Sequence, residues 1–502
     1  MGTKSEEPMT HETSQWPKKS DRICVVGAGA GGLHLSYLLS AMGYENIVVL
    51  EKSARIGGKS YTYTDDDGVD HEHGTCYSSN DYVEVKEWLA RYQLDDYVPA
   101  LQEGHQGQQV WEHINQNPTT FREYAIQTAR KAGAGGFLGF LDFVVGLSVI
   151  RGLKKYIRLH KEILGTYEGQ LPPQPSKEVL RELRRPFSEW LKKHDLEHLI
   201  PVFFLTHTTQ GYGPLEDIPV FYAFVWNTPR MIEGYINTLR GRDDSGFEIV
   251  LSGWQRLWER MADEGRFELR LNADVTAVKR TESAVEVTID GADTPEIFDY
   301  IVLACPLKNF LAALDASDKE REILGALSCY HFSTTVFRSV QGHVSQFLFD
   351  RWFDNVDAAK PFAVVAQRLT AQADHPEIGN NDPDAVEARV AYQFSTRHIP
   401  IEEQDRKFEE HYEQFDARDV EILNRYRTEY FWRFDADGLE AGYPWQLQAL
   451  QGHNRTLYTG GSCCFESVND IVSYNRWLLR QMGLDAPQVK DLPPWQPKAD
   501  KG

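Results

Sequence analysis

Ile23-Cys24-Val25-Val26-Gly27-Ala28-Gly29-Ala30-Gly31-Gly32 is the stretch on which the reading of the fold turns. Four apolar residues in a row fit a short strand covered on both faces of a parallel sheet. Gly27, Gly29 and Gly32 follow with GxGxxG spacing, and an apolar helical pattern continues to about residue 42. In such a unit the first glycine permits the tight turn, the second lets the backbone approach a pyrophosphate, and the third lets helix and strand pack closely. The helix start then directs unpaired N–H groups and a positive dipole end at the phosphates. Residues 46–50 read as the next strand. Glu51 stands at its end, where a carboxylate accepts bonds from ribose hydroxyls. The unit is βαβ, and the ligand it implies is a dinucleotide.

Working outward, alternation predicts strands at 267–271, 274–279 and 285–289. Further strands are expected at 301–304, ending at Pro306, and at 456–459 before Gly460-Gly461, with a helix over 469–482. The nucleotide-binding features therefore fall in three separated stretches. The fold class expected is α/β, with a discontinuous Rossmann-like domain from 21–76, 250–315 and 446–482. Residues 77–249 and 316–445 are expected to form an α+β substrate domain with helical elements. It would contain a helical stretch over 176–196 broken at Pro186, strands at 331–340 and 388–394, a solvated acidic helix at 402–413 and a surface loop at 372–384. Residues 1–20 read as a disordered tail and 483–502 as a C-terminal tail.

The run Glu51-Lys52-Ser53-Ala54-Arg55-Ile56-Gly57-Gly58-Lys59 continues directly from the ribose acid. Its paired glycines let a loop wrap close to a pyrophosphate, to which Arg55 and Lys59 can supply cations. This run resembles the ExxxRxGGR segment of the superfamily of amine oxidases, phytoene desaturases and protoporphyrinogen oxidases. Glu72-His73-Gly74-Thr75 resembles the glycine segment that follows it there. Residues 252–257 and 300–306 are similar to two further superfamily segments, and Leu271-Asn272-Ala273-Asp274-Val275 to the strand whose valine backbone touches adenine. The resemblance implies an amine-oxidase-like, non-covalent FAD site built from Gly27, Gly29, Gly32, Glu51, Lys52, Arg55, Gly58, Lys59, His73, Gly74, Thr75, Val275, Gly460, Gly461, Asp470, Ile471 and Val472. One departure stands out: Gly461 lies where the superfamily carries a glutamate, which puts a flavin-ribityl contact in doubt. The last helix also lacks the usual glycines, but its start near Asp470 should still aim N–H groups at the flavin N1–C2=O edge.

Several of these features narrow the resemblance to flavin-dependent polyenoic fatty acid isomerases: Ile56–Lys59, Gly211-Tyr212-Gly213 with Ile218-Pro219, the Pro306-Leu307-Lys308-Asn309-Phe310-Leu311 stretch, and residues 460–474 with Asp470 and Tyr474. The implied reaction moves double bonds in a polyunsaturated fatty acid by giving a hydride to flavin N5 and taking it back at another carbon. Such a site needs a long apolar channel with one polar end. Phe203, Phe204, Tyr212, Phe221 and Tyr222, with Phe224 and Trp226, are the candidate lining; Arg230 is the first candidate for the carboxylate, with Arg240 and Arg122 as others. No nucleophile–base constellation stands out, so no side chain is assigned a catalytic role. An oxygen-using amine oxidase or desaturase and a flavin-bearing binding protein without turnover remain the alternatives.

Composition sets the outer bounds. The 502 residues suffice for two domains, and 41% apolar and 12% aromatic residues suffice for a core. A formal charge of −21 speaks against nucleic acid as a partner, which needs a cationic face. Six cysteines show no CxxC pair or zinc-ligand spacing, and read as reduced thiols. His71 and His73 flank Glu72 inside the flavin segment and read as local packing, so no metal is expected. Residues 1–20 carry no apolar run and no signal peptide, which points to a cytoplasmic protein. Residues 133–150 are nearly all apolar, and Arg151, Lys154, Lys155, Arg158 and Lys161 follow. That run is too short for a spanning helix of roughly 20 residues. It reads either as a buried helix with a basic continuation or as a surface for peripheral membrane contact over 133–161.

Overall fold

The computed structural model describes residues 16–99, 110–112, 117–119, 121–165, 171–240, 242, 247–340, 347–349, 364–369, 386–396, 398–414 and 417–497. The expected surface loop at 372–384 lies outside them. Five parallel strands form one sheet in the order Glu268–Arg270, Ile47–Leu50, Ile23–Val26, Tyr300–Leu303, Thr456–Tyr458. Four of them, Ile23–Val26, Ile47–Leu50, Tyr300–Leu303 and Thr456–Tyr458, are buried along their whole length, which explains their largely apolar sequence. Sequence-distant strands thus meet side by side, and all three predicted stretches of the Rossmann-like unit contribute to one sheet.

The Ala30–Ala41 helix follows the first strand and packs against the last helix, Val468–Gln481, across the same sheet. Asn475 fastens the two together: its amide donates to the Gly31 carbonyl at 2.9 Å while its own oxygen accepts from the Thr459 hydroxyl. A second sheet, mostly antiparallel, has seven strands and is dominated by Leu327–Val340, Val386–Ser395 and Arg418–Phe434. Its long strands begin earlier than the apolar alternation alone indicates, because pairing continues past the buried stretch. Between residues 83 and 239 the chain is largely helical. The 176–196 stretch forms two helices, Lys177–Leu183 and Phe187–Lys193, divided at Pro186. Proline has no N–H to continue the ladder, so it starts the second helix instead.

The described residues of the two segments read as tails make contacts with the rest of the chain. Trp16 packs on the core and Pro17 accepts from Tyr44. In the 483–497 segment Val489 is buried, and the Trp495 ring lies edge-on to Tyr92 at 5.5 Å.

A buried ion pair joins the two sheets' surroundings. Arg280 grips Glu320 through two hydrogen bonds, of 2.6 and 2.9 Å, and reaches Thr456 on the fifth parallel strand. Glu320 is 2% exposed and also completes a capping box with Ser317. Burial alone would raise its carboxyl, but the guanidinium, with the Tyr458 hydroxyl and the Ser317 amide, outweighs this and holds it down at about 2. The depressed value contributes stability that is present above the ordinary 4.5 and lost as pH falls toward 2. Glu320→Ala removes one of the two carboxylates that pair with Arg280, leaving Asp315 at 2.7 Å, and should cost about 1–3 kcal/mol at pH 7. In urea unfolding the gap to wild type should narrow as the pH drops below 4.5; equal midpoints at pH 7 would show the pair to be dispensable.

Candidate active site

The dinucleotide turn is held by backbone crowding. Gly27 adopts φ +110°, and a Cβ there would sit 2.8 Å from the Ala304 carbonyl oxygen. A Cβ on Gly32 would fall 2.0 Å from the Gly27 oxygen. Gly29 differs: a Cβ there meets only the Gly58 Cα at 3.6 Å. It is the least crowded of the three motif glycines, which fits the approach of a phosphate to the backbone that their spacing implies. Glu51 is 9% exposed; one oxygen accepts from the Ala28 N–H at 2.8 Å and the other from Ser53. The Glu51 backbone oxygen accepts from the Ala273 N–H, which brings Val275's strand to the same end of the sheet. These residues fit the adenosine and pyrophosphate of FAD.

The 55–75 loops close over this turn. Gly57 and Gly29 pair in a parallel bridge, and the Gly57 N–H donates to the Ala28 oxygen. Arg55 donates to the Gly58 carbonyl at 2.7 Å and covers the Tyr61 ring at 4.3 Å. It therefore stiffens the loop from within. Lys52 is exposed. Gly74 can carry no side chain, since a Cβ would lie 1.7 Å from the Lys59 oxygen. Thr75 meets Ser60 at 3.2 Å. His73 pairs with the Thr334 hydroxyl at 2.7 Å and stacks on Tyr61, and His71 pairs with Asp65. Among the described residues no three His, Cys, Asp or Glu side chains gather as a metal site.

The departure at Gly461 has a structural counterpart that the sequence reading missed. The Glu466 side chain folds back over Gly461: a Cβ there would lie 2.5 Å from its Cγ. One Glu466 oxygen pairs with Lys59 and the other accepts from the Trp432 N–H at 2.8 Å. A carboxylate thus covers the position where the superfamily glutamate is missing, but it comes from five residues downstream, and the missing side chain at 461 leaves the room. The only sequence signal was an acid close after a glycine pair.

Ser467 caps the last helix, its hydroxyl accepting from the Asp470 N–H at 3.0 Å and donating to the Asp470 carboxyl. Ile471 and Val472 complete the first turn and are buried. Burial pushes the Asp470 carboxyl up to about 7, against the Ser467 hydrogen bond and with a further push from the nearby charge of Asp81. The helix dipole would favour its charged form, but complete burial dominates.

The candidate substrate aromatics divide into two groups. Tyr212, Trp226 and Phe465 pack together, with Tyr212–Phe465 at 4.7 Å and Trp226 stacked on Phe465 at 5.6 Å. Phe431 and Tyr430 of the second sheet close the box. Gly211 and Gly213 make this possible, because any Cβ would strike Phe332 or Tyr330. Phe204 joins a separate apolar cluster with Phe332, Val336, Val390, Tyr392 and Phe394. Tyr222 accepts from the Phe434 N–H. Phe203, Phe221 and Phe224, also among the expected lining, have no exposed surface. Phe203 and Phe224 pack on Tyr156 and Trp190, and Phe221 on Trp445, so they hold helices together. Arg230 lies at the surface, 3.9 Å from Asp81; a substrate carboxylate would have to compete with that acid. Arg240 is also exposed, and the Arg122 side chain lies outside the described residues.

With this geometry in place, the comparisons with known proteins fall into line. Residues 25–92 match the NAD(P)-binding Rossmann-like domain family. The chain is similar to a polyenoic fatty acid isomerase of Ptilota filicina, 24% identical over 90% of this chain and 93% of that one. It is also similar to the FAD-dependent oxidoreductase oblC of Cochliobolus heterostrophus, at 23% over 90% and 89%. Among solved structures, the crystal structure of a CLA-producing fatty acid isomerase from P. acnes superposes with a TM-score of 0.70 at 18% identity, covering 93% of this chain and 99% of that one. The chain is an FAD-dependent enzyme with the amine-oxidase fold. When bound, FAD supplies a group that can accept and return a hydride; the chain supplies its cradle, the neutralising contacts and an aromatic box beside the last helix.

Two predictions separate cradle from fold. Gly29→Val should give a protein of near wild-type stability that holds little FAD, because a Cβ there makes only ordinary contact with the protein whereas a phosphate cannot share that side. Glu51→Ala should weaken FAD binding by about 1–3 kcal/mol. Released flavin, quantified after denaturation, checks both, and full occupancy in the Gly29 variant would move the phosphates elsewhere. For Asp470 the raised value means that the folded state holds a proton between pH 3.8 and about 7 that the unfolded chain has lost. Stability contributed by this group therefore falls as pH rises through that window. Asp470→Asn should be the more stable form at pH 8, with the difference vanishing near pH 4; chemical denaturation at the two pH values tests the sign.

Proposed function

We propose that this enzyme shifts double bonds in a polyunsaturated fatty acid, or a similar long unsaturated acid, with no net oxidation. The observation that carries the reading is the buried apolar cluster that adjoins the aromatic box. Phe204, Phe332, Val336, Val390, Tyr392 and Phe394 form one continuous cluster with Tyr430 at its border. Tyr430 in turn stacks on Tyr212, whose ring meets Phe465 next to the 460–467 turn. Burial holds the Tyr212 and Tyr430 phenols well above their ordinary value, so both are neutral at physiological pH. Such a wall favours an acyl chain, at about 0.8 kcal/mol per buried CH₂, and gives water no easy place.

In this reading Tyr212, Tyr430 and Phe465 fix the chain so that one activated C–H faces the flavin, and the aromatic box keeps water and oxygen out. The carbon loses a hydride and another carbon of the same chain regains it, so electrons balance without a second substrate. The names of the two isomerases to which the chain is similar support the substrate class. Binding of FAD is proposed to be non-covalent: Cys463 and Cys464 are buried thiols whose burial raises them far from the reactive thiolate form.

Incubation with a panel of polyunsaturated fatty acids under argon should produce conjugated-diene or triene absorbance with no peroxide. A substrate deuterated at the abstracted carbon should return its label to a new carbon, or lose it only to solvent exchange. Turnover that requires oxygen and forms peroxide in step with product would make the enzyme an oxidase instead. Tyr212→Ala should lower kcat/KM at least tenfold while leaving FAD content unchanged.

A further inference from the structure

The apolar stretch at 133–150 divides: its helical part buries Val145 and Val149, while its first part stands out at the surface. Its first part is a short turn, Gly136–Leu138, and the second begins a 23-residue helix, Asp142–Leu164, that continues through the basic residues. Phe137 is 95% exposed, Phe140 70% and Phe143 75%, and Leu138 and Leu141 are also exposed. A water-soluble surface seldom gathers five large apolar side chains within seven residues, and such a patch marks a contact. The long helix shows what lies beside it. Phe143, Leu147, Arg151, Lys154, Arg158 and Lys161 follow one another at three- and four-residue steps, and so share one stripe. Arg151, Lys154, Arg158 and Lys161 are exposed. In a chain of net charge −21 this stripe is a local reversal of sign. Apolar tip followed by basic stripe is the pattern of an element that lies in a bilayer interface. No helix among the described residues is long and apolar enough to cross a membrane.

Behind the tip lies an open cavity of about 370 Å³ with an apolar lining of Ile126, Phe143, Leu147, Val149, Ile150 and Leu239 and two charged residues, Arg240 and Asp142, the latter paired with Arg130. That volume is within the range of small-ligand pockets. Gly146 also lines it, and a Cβ there would meet nothing within 4 Å. Leu239 packs on the Phe204–Phe332–Tyr392 cluster as well. The cavity therefore adjoins the apolar wall that leads to Tyr430, with one shared side chain between them.

We propose that the 136–143 tip inserts into the interface of an anionic bilayer, with the basic stripe on the lipid headgroups, and that the cavity behind it admits an acyl chain from that bilayer, Arg240 meeting its carboxylate. The acyl-chain half rests on the function proposed above; the docking half does not. Holoenzyme is floated with vesicles of phosphatidylcholine and 30% phosphatidylserine, an assay that needs no turnover. Wild type should float, and the Phe137→Ser/Phe140→Ser/Phe143→Ser variant should bind at least tenfold less while keeping its FAD. Lys154→Glu/Arg158→Glu should lose binding at low salt. Wild type that stays in the pellet, or a serine variant that still floats, overturns the docking. So does a concentration-dependent dimer in sedimentation velocity that the serine variant abolishes, since the patch would then belong to a second copy of the chain. For the cavity, Gly146→Leu fills the open space and should weaken binding of the fluorescent probe cis-parinaric acid about tenfold with vesicle binding unchanged. Unaltered probe binding would remove the cavity as an acyl site, whatever the outcome of the turnover assays.

Discussion

Close approach of bare backbone is the constraint from which the rest of the structure follows. At Gly27, Gly31, Gly32 and Gly74 the chain passes so near another segment that a single Cβ would collide with Ala304, Gly460, Gly27 and Lys59 respectively. Four stretches from residues 27 to 460 are thereby drawn to one end of one sheet. Gly29 between them is less crowded, its Cβ position making only ordinary contact with Gly58. Everything else at the site is placed relative to that point: Glu51 at the strand end beside it, Val275 across from Glu51, and the last helix over it through Asn475.

Charge is handled by burial and pairing together. Two carboxyls with similar burial behave in opposite ways. Glu320 sits in the fork of Arg280 and stays ionised far into acid, whereas Asp470 has only hydroxyl and amide partners and an acid nearby, and holds a proton close to neutral pH. A buried charge is stable only where a counter-charge compensates for lost water. The first arrangement locks a helix to the sheet. The second puts a group that changes protonation near pH 7 at the start of the helix nearest the expected flavin edge. Glu466 adds a third case, in which Lys59 and the Trp432 amide divide one carboxylate between them.

The substrate side rests on packing more than on charge. Rings from the Gly211-Tyr212-Gly213 turn, from the second sheet and from the 460–467 turn meet at distances of 4.7 to 5.6 Å. Because they come from three separate parts of the chain, the box forms only in the folded protein. The helical layer behind it, with Tyr156, Phe203 and Phe224, supports the box without reaching it.

The sequence by itself determined the Rossmann-like unit, the order of its pieces and the identity of the phosphate turn. Those features are local: four apolar residues, three glycines and an acid at fixed spacing impose the same strand, turn and helix wherever they occur. It also marked Gly211-Tyr212-Gly213, whose meaning is likewise a backbone conformation. What only the tertiary structure decided is which side chains share a space. Seven aromatic residues between 203 and 226 look alike in sequence, yet Tyr212 and Trp226 reach the 460–467 turn while Phe203, Phe221 and Phe224 fill the helical core. Glu466 replaces the missing acid at 461 because a folded loop brings it there. The apolar run at 133–150 divides, with Val145 and Val149 buried and Phe137, Phe140 and Phe143 exposed, because helical burial is set by what the opposite face finds to pack against, and periodicity in one segment carries no information about that partner.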